Sequence, residues 1–217
     1  ITSAGIHSYG IGNSSKWHTA KRRYYVFNLL EELDAPGEWY VDRENRVLYF
    51  YPPDGAVNDV VLAVQKQPLI QVVKTAHVRL EGLRFAYSTG RAVSVEGCES
   101  VLLKGLRVAQ VTTDGISVSG GRSCGLDGCE VYGTGGTCVT VSGGDRKSLT
   151  GCGHFVTNCH LHHSGRLQRT QGKCLAFHGV GVRVAHNLIH DSPYIAVMYG
   201  GNDHVFEYNE VHSAMME

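Results

Sequence analysis

The feature that most constrains this chain is an internal repeat, which runs from about residue 80 to residue 212. Six segments align with one another at spacings of 23, 23, 30, 28 and 22 residues. Between them lie short β-branched runs that end in glycine, and no helical pattern. A period of this length, built from short strands, is typical of a β-solenoid whose coils stack on one another. The aligned positions are Leu83, Leu106, Cys129, Cys159, Asn187 and Asn209.

Stacking predicts columns of equivalent residues about 4.8 Å apart. Two columns, three residues before and two residues after the aligned positions, are apolar in all six segments. A further strand precedes each of the later segments, and its apolar residues alternate with period two. We therefore predict an all-β parallel β-helix of about six coils. Asn187 and Asn209 would form a ladder at a bend, following the buried thiols of Cys129 and Cys159. The predicted inward columns are Leu80, Leu103, Leu126, Val156, Val184 and Phe206; Phe85, Val108, Val131, Leu161, Ile189 and Val211; and Val93/Val95, Ile116/Val118, Val139/Val141, Leu175/Phe177 and Ala196/Met198.

Residues 1–65 differ from the repeat region in composition and pattern, because they are rich in aromatic residues and irregular. We predict a short helix around Asn28 to Leu33, closed by a Pro-Gly pair, and then a hairpin with strands at 38–41 and 47–51. The chain therefore divides into an N-terminal β-rich appendage or cap, residues 1–65, and the β-helix, residues 66–217, which we expect to be truncated at its C-terminus.

Composition excludes several function classes. Lys plus Arg equals Asp plus Glu, at 20 each, so no basic surface points to nucleic acid. No apolar run approaches the roughly 18 residues of a membrane span. There is no phosphate-binding loop, dinucleotide fingerprint or nucleophile elbow. The seven cysteines show no metal-like pairing and are expected to be core thiols.

Polar residues also fall into columns, and those of the last three coils carry rings. His162, His190 and His212 share one column, with His163 and Asp191 directly beside it. This arrangement is compatible with a stacking ladder, with a substrate groove or with a metal site, since imidazole binds zinc. Because no carboxylate or cysteine stands at a convincing ligand spacing, we expect neither a metal nor another cofactor.

Carboxylates near these histidines could cleave a glycosidic bond, which needs two carboxyl groups flanking it. Asp191, Glu207 and Asp203 are the candidates, on neighbouring coils whose spacing of about 4.8 Å suits that geometry. The turns Gly143–Arg146 and Gly200–Asp203 match one another. An outward column of Glu96, Ser119, Ser142, His178 and Tyr199 adds rings near the same end. Candidate substrate-binding residues are His162, His163, His178, His190, Tyr199, Asn202, His204, His212 and Arg146.

The stretches "NLLEELDAPGEWYVDRENRVLYFYPP" and "GGNDHVFEYNEVH", with coil motifs of the "N-x-I-H" kind, resemble right-handed parallel β-helix proteins of carbohydrate metabolism, nearest to glycoside hydrolase family 141 and its relatives. The resemblance covers residues 24 to 217. It implies a secreted or periplasmic glycosidase that acts on an oligo- or polysaccharide through two carboxylates without a metal. In the family pattern a strand opening Asp-x-Gly-Ala follows, so the resemblance implies a further carboxylate beyond this sequence.

Two alternatives stay open. A polysaccharide lyase would need a basic residue and usually an acidic Ca²⁺ cluster, but from residue 174 onward only Arg183 is basic. A non-catalytic carbohydrate-binding or adhesion solenoid would carry a polar groove without a carboxylate pair.

Overall fold

The computed structural model describes residues 28–53 and 60–215, together with the backbone of the short antiparallel strands His7–Ser8 and Tyr24–Tyr25. The chain divides into two compact units, Ile1–Val61 and Leu62–Glu217. In the described ranges, no helix combines the length and the apolar character that crossing a membrane requires.

The N-terminal unit contains the predicted hairpin. Trp39–Asp42 pairs antiparallel with Val47–Phe50, and the Asp42 carboxylate accepts the backbone N–H groups of Glu44 and Asn45 in the turn. The predicted helix is only one 3-10 turn, Leu30–Glu32, none of whose residues is buried. Without an apolar face to bury, a longer helix gains little from packing.

The second unit is a parallel β-helix of six coils, and each coil contributes one strand to each of three six-stranded sheets. Every neighbouring pair in these sheets is parallel. Sheet 1 contains Ile70–Val73, Val93–Glu96, Ile116–Ser119, Val139–Gly143, Lys173–Val180 and Ile195–Asn202. Sheet 2 contains Arg79–Glu81, Leu102–Lys104, Gly125–Asp127, Phe155–Thr157, Arg183–Ala185 and Val205–Glu207. Sheet 3 contains Arg84–Ser88, Arg107–Val111, Glu130–Tyr132, His160–His162, Leu188–His190 and Glu210–Val211.

The ladder registers confirm the predicted columns of sheets 2 and 3. In sheet 2, Leu103 pairs with Leu80 and Leu126, and the same column continues to Phe206. In sheet 3, Val108 lies between Phe85 and Val131, and that column continues to Val211. These columns form a continuous core, because each inward side chain packs on its equivalents in the adjacent coils.

The last strand of sheet 1 departs from the predicted register by one residue. Leu175 pairs with Val197 and Phe177 with Tyr199, so Ala196 and Met198 are not the equivalents of those two core residues. The strand-ending Gly179 pairs with the second glycine of Gly200-Gly201, whereas the predicted alignment used the first. Both Gly179 and Gly201 have a positive φ, 103° and 128°, and this shared conformation sets the register.

The bend between sheets 2 and 3 contains the predicted asparagine ladder. The Asn187 side chain accepts the N–H of Cys159 at 2.8 Å and donates to the Val156 carbonyl at 2.9 Å. Asn209 Oδ1 in turn accepts the N–H of Asn187 at 3.0 Å. Cys129 and Cys159 precede the asparagines as free, buried thiols, and all seven cysteines of the chain are free and buried. The prediction of core thiols is confirmed.

His154 is a buried structural histidine at the bend between sheets 1 and 2. Its Nδ1 accepts the N–H of Cys124 at 3.1 Å, so Nε2 carries the proton and donates to the Gly120 carbonyl at 3.1 Å. The side chain is fully buried, and burial lowers its pKa below the ordinary 6.5. Protonation would remove the acceptor that the Cys124 N–H requires.

We therefore expect acid to destabilise the fold partly through His154. Because its folded pKa is depressed, the unfolded chain binds more protons as the pH falls below about 6.5, and stability is lost there at up to about 1.4 kcal/mol per pH unit. Urea unfolding at about pH 7.5 and about pH 5 would show a smaller difference for His154→Gln than for the natural protein. An identical difference in the two proteins would contradict the role given to His154.

Candidate functional site

The outer face of sheet 3 collects the imidazole groups. Leu161 and Ile189 point into the core, so strand alternation directs His160, His162 and His190 outward. Parallel pairing aligns His162 with Tyr132 and with His190. The four rings of Tyr132, His162, His190 and His212 form a stack, with centroid separations of 4.9, 5.1 and 4.8 Å and interplanar angles of 3°, 8° and 4°. The predicted histidine column is therefore confirmed as a stack on one face.

A polar network links these rings to a carboxylate. His190 Nδ1 lies 2.8 Å from Asp191 Oδ2, and His163 Nε2 lies 3.6 Å from the same oxygen. His162 Nδ1 faces His163 Nδ1 at 2.6 Å, and His160 Nε2 faces His190 Nε2 at 2.7 Å. His163 and Asp191 both adopt a left-handed backbone conformation, with φ of 51° and 52°, at the corner where sheet 3 ends. This corner places Asp191 beside rings of its own coil and of the preceding coil.

Glu130 is a second carboxylate on this face, one coil before His160. Its Oε1 lies 3.5 Å from His162 Nε2 and 4.0 Å from His160 Nδ1. Its other oxygen is 2.9 Å from Arg107 Nε, and Arg107 also donates to the Tyr132 hydroxyl at 3.1 Å. Glu130 is thus held by an arginine, whereas Asp191 is held by histidines.

Three groups of the cluster have pKa values that depart from their ordinary ones. Burial, and then the proximity of His160, lowers the pKa of His162 to about 4. Burial also lowers the pKa of His160. The hydrogen bond from His190 lowers the pKa of Asp191, so this carboxylate is ionised at neutral pH. The ionised Asp191 carboxylate therefore lies on the same face as His160 and His162, whose lowered pKa values favour the neutral imidazole.

The sheet 3 face opens into a cleft of about 240 Å³ at the same corner. One wall is the insertion at residues 164–172, which joins sheet 3 of the fourth coil to sheet 1 of the fifth. Arg166 is tied down by the Gly133 carbonyl at 3.3 Å and by the Gln110 side chain. The cleft is lined by His163, Ser164, Arg166, Arg169, Asp191 and Pro193.

Glu207 and Asp203 do not join this cluster. Glu207 lies in sheet 2, where it pairs with Arg183 at 2.7 Å, so the structure corrects the expectation that Asp191 and Glu207 share one face. Asp203 occupies the bend between sheets 1 and 2 with φ of 55°. The repeat spacing correctly predicts which residues stack between coils. It does not predict that residues a few positions apart in one coil lie on different sheets.

Three more of the predicted binding residues lie at or beside the bends between sheets 1 and 2. His204 Nδ1 accepts the N–H of Val182 at 3.1 Å, as His154 Nδ1 accepts that of Cys124, and its Nε2 faces the Gly200 carbonyl of its own coil at 3.3 Å. Arg146 Nε donates to Asn202 Oδ1 at 3.4 Å. These contacts give His204, Arg146 and Asn202 structural partners away from the sheet 3 cluster.

His178 and Tyr199 belong to sheet 1 and do not share a column. His178 pairs with Gly200, and Tyr199 instead follows Phe177, with ring centroids 5.4 Å apart. Tyr199 thus continues the core column of Phe177. It lies on the outermost described coil, and its side chain is 70% exposed. The expected alignment of these two rings was wrong because of the double glycine.

Four residues of the site were missed by the sequence analysis: His160, Glu130, Arg166 and Arg169. His160 is two residues before His162 on the same strand, and that spacing in "HLHH" was the available signal. The arginines lie in an insertion whose path no repeat predicts. The insertion at 164–172 leads into the start of the sheet 1 strand Lys173–Val180.

Comparison with known proteins agrees with this architecture. Residues 91–215, more than half of the chain, match the family model described as the right handed beta helix region. The chain belongs to the right-handed β-helix family. β-helix domains of this family are found in polysaccharide-degrading enzymes and in other proteins. No curated protein and no solved structure matches this β-helix chain significantly, so the resemblance to glycoside hydrolase family 141 rests on its sequence motifs.

Proposed function

We propose that this β-helix is a carbohydrate-active enzyme that cleaves glycosidic bonds of a polysaccharide in the cleft beside sheet 3. The observation that carries the proposal is the convergence of Asp191, His163, Arg166 and Arg169 on one cleft. A carboxylate, an imidazole and two guanidinium groups are together able to move a proton and to bind sugar hydroxyl or acidic groups. An extracellular or periplasmic location belongs to the same proposal.

The reaction we propose is hydrolysis, as in a glycoside hydrolase. Asp191 is the group that activates water or attacks the anomeric carbon, since its Oδ2 is held by His190 and its Oδ1 remains for the reaction. His163, 3.6 Å from Asp191 and exposed on the cleft side, is the group that exchanges a proton with the leaving oxygen. Glu130 is not assigned a reacting role, because Arg107 binds it.

The cleft favours a substrate that carries negative charge. Two arginines and one carboxylate line it, and Arg169 makes no ion pair among the described residues. Guanidinium binds planar carboxylates bidentately, so a uronate or a similarly acidic sugar fits this lining.

The same arginines favour a second candidate, a polysaccharide lyase. Elimination requires a base that removes the proton next to a uronate carboxylate, and cations that stabilise the charge that develops. His163 and the two arginines supply these groups. Arg183 is the only Lys or Arg from residue 174 onward, but the insertion at 164–172, which precedes that stretch, contributes Arg166 and Arg169 to the cleft.

The proposal is tested by incubating the protein with a polyuronate and with the same polymer after methyl esterification. We expect new reducing ends from the polyuronate, and Asp191→Asn should lower that rate by about 10²–10⁴-fold. Asparagine tolerates the left-handed backbone at this position, so the variant should fold. Cleavage that gives an ultraviolet-absorbing unsaturated product would assign elimination. New reducing ends without that product would assign hydrolysis.

Two further variants sharpen the assay. Glu207→Gln is the matched control, because this carboxylate lies on sheet 2 and only loses a surface ion pair. Its rate should equal that of the natural protein. Arg169→Gln should raise KM for the polyuronate more than for the ester. Equal rates for Asp191→Asn and Glu207→Gln would overturn the site, and binding of the polymer without cleavage would favour the non-catalytic solenoid.

A further inference from the structure

We infer that His160, His162 and His190 form a binding site for a divalent transition-metal ion of the Zn²⁺ type. The inference concerns binding alone and does not depend on the proposed cleavage reaction. One ligand atom from each of the three half-buried side chains lies within 4.8 Å of the others. The site is thus built from two neighbouring strands of a rigid sheet.

The backbone explains why the three imidazoles converge. His160 and His162 are two residues apart on one strand, so both leave the same face of sheet 3. His190 is the ladder partner of His162 on the next strand. Strand pairing sets the position of all three Cβ atoms, and no loop has to be ordered when a ligand binds. Pre-ordering of this kind lowers the cost of binding.

The outer partners of His190 prepare its ring as a ligand. Its Nδ1–H donates to Asp191 Oδ2 at 2.8 Å, which leaves the Nε2 lone pair directed at His160 Nε2, 2.7 Å away. Metal-binding histidines characteristically donate their second ring N–H to a carboxylate. Two imidazole nitrogens at this separation share a single proton. A metal ion that replaces the proton binds both nitrogens, after they open to about 3.3 Å, the separation set by tetrahedral Zn–N bonds of about 2.0–2.1 Å.

His162 supplies the third ring, and its Nε2 atom gives an independent indication of a metal-binding site. Its Nε2 is buried and has no hydrogen-bond partner among the described residues. Glu130 Oε1 lies 3.5 Å from this nitrogen. A buried ring nitrogen without a partner is unfavourable, and coordination would satisfy it. Because the His162 and His190 rings are nearly parallel, at 8°, His162 must turn about χ2 to reach a shared ion.

The ligand chemistry selects the ion. Three neutral imidazoles suit Zn²⁺, Cu²⁺, Ni²⁺ and Co²⁺, whereas Ca²⁺ and Mg²⁺ require oxygen ligands. A three-histidine site would leave the fourth tetrahedral position for water or for an anion.

Isothermal titration of the metal-stripped protein with Zn²⁺ tests this inference. We expect one ion per chain in the natural protein, and affinity at least about tenfold weaker in His160→Gln and in His190→Gln. His178→Gln, on sheet 1, is the matched control and should bind as the natural protein does. Titration with Ca²⁺ should give no signal, and Co²⁺ should develop a visible absorption band that His160→Gln removes.

Absence of Zn²⁺ binding by the folded natural protein would overturn the inference. Equal affinities in His160→Gln, His190→Gln and His178→Gln would also overturn it. Circular dichroism checks that each variant is folded, and the altered side chains lie on the outer face. Since no polysaccharide is present, failure of this experiment leaves the cleavage proposal untouched, and failure of the cleavage assay leaves the metal site untouched.

Discussion

Replacing Gly179 with alanine is expected to lower the free energy of unfolding by about 3–5 kcal/mol, because it combines backbone strain with a steric clash. Gly179 has φ of 103°, outside the range that L-residues adopt readily. A Cβ at this position would lie 1.9 Å from the Gly143 carbonyl oxygen. That oxygen belongs to the adjacent coil, so relief of the clash would require two coils to separate.

Urea unfolding followed by circular dichroism measures this effect. Gly128→Ala is the matched control: it also has a positive φ, 64°, but an added Cβ meets nothing within 4 Å. The control should lose only about 1–2 kcal/mol, the cost of the left-handed conformation. Equal losses in the two variants would show that coil-to-coil contact at Gly143 and Gly179 does not limit stability.

Asn187→Ala should have the second largest effect, a loss of about 2–5 kcal/mol. Asn187 is only 2% exposed, and its side chain satisfies the N–H of Cys159 and the carbonyl of Val156. Alanine leaves the buried N–H of Cys159 without an acceptor and removes one donor to the Val156 carbonyl. It also removes the hydrogen bond at 2.8 Å to Asn209 Oδ1, which links this coil to the next.

Thermal and urea unfolding of Asn187→Ala and Asn209→Ala provide the comparison. Asn209 makes the equivalent contact to the Val184 carbonyl at 3.0 Å, but it is only half-buried on the last described coil. Water can replace its hydrogen bonds, so its loss should be clearly smaller. A larger loss at Asn209 than at Asn187 would contradict the burial argument.

The core of this protein is predictable from the repeat because stacking repeats the same environment in every coil. Once Leu103 and Leu126 are aligned, parallel pairing determines which residues are neighbours, and the histidine stack from His162 to His212 follows in the same way. Asn187 and Asn209 were correctly expected to satisfy the bend for the same reason.

The site was only partly predictable, for three physical reasons. A double glycine makes the register ambiguous by one residue, which misplaced Tyr199. Each coil changes direction at its bends, so Glu207, although close in sequence to the histidines, faces outward from sheet 2. The arginines of the cleft come from an insertion that has no equivalent in the other coils, and its path depends on contacts such as that between Arg166 and Gln110.

The amino-acid sequence alone therefore determined the parallel β-helix, its core columns and the gathering of imidazoles on one side, because these depend on spacing along the chain and on strand alternation. Only the tertiary structure decided which polar groups meet. His160 Nε2 faces His190 Nε2, and Asp191 rather than Glu207 joins the cluster. Such meetings depend on where each coil bends and on side-chain directions across neighbouring strands, which spacing does not specify.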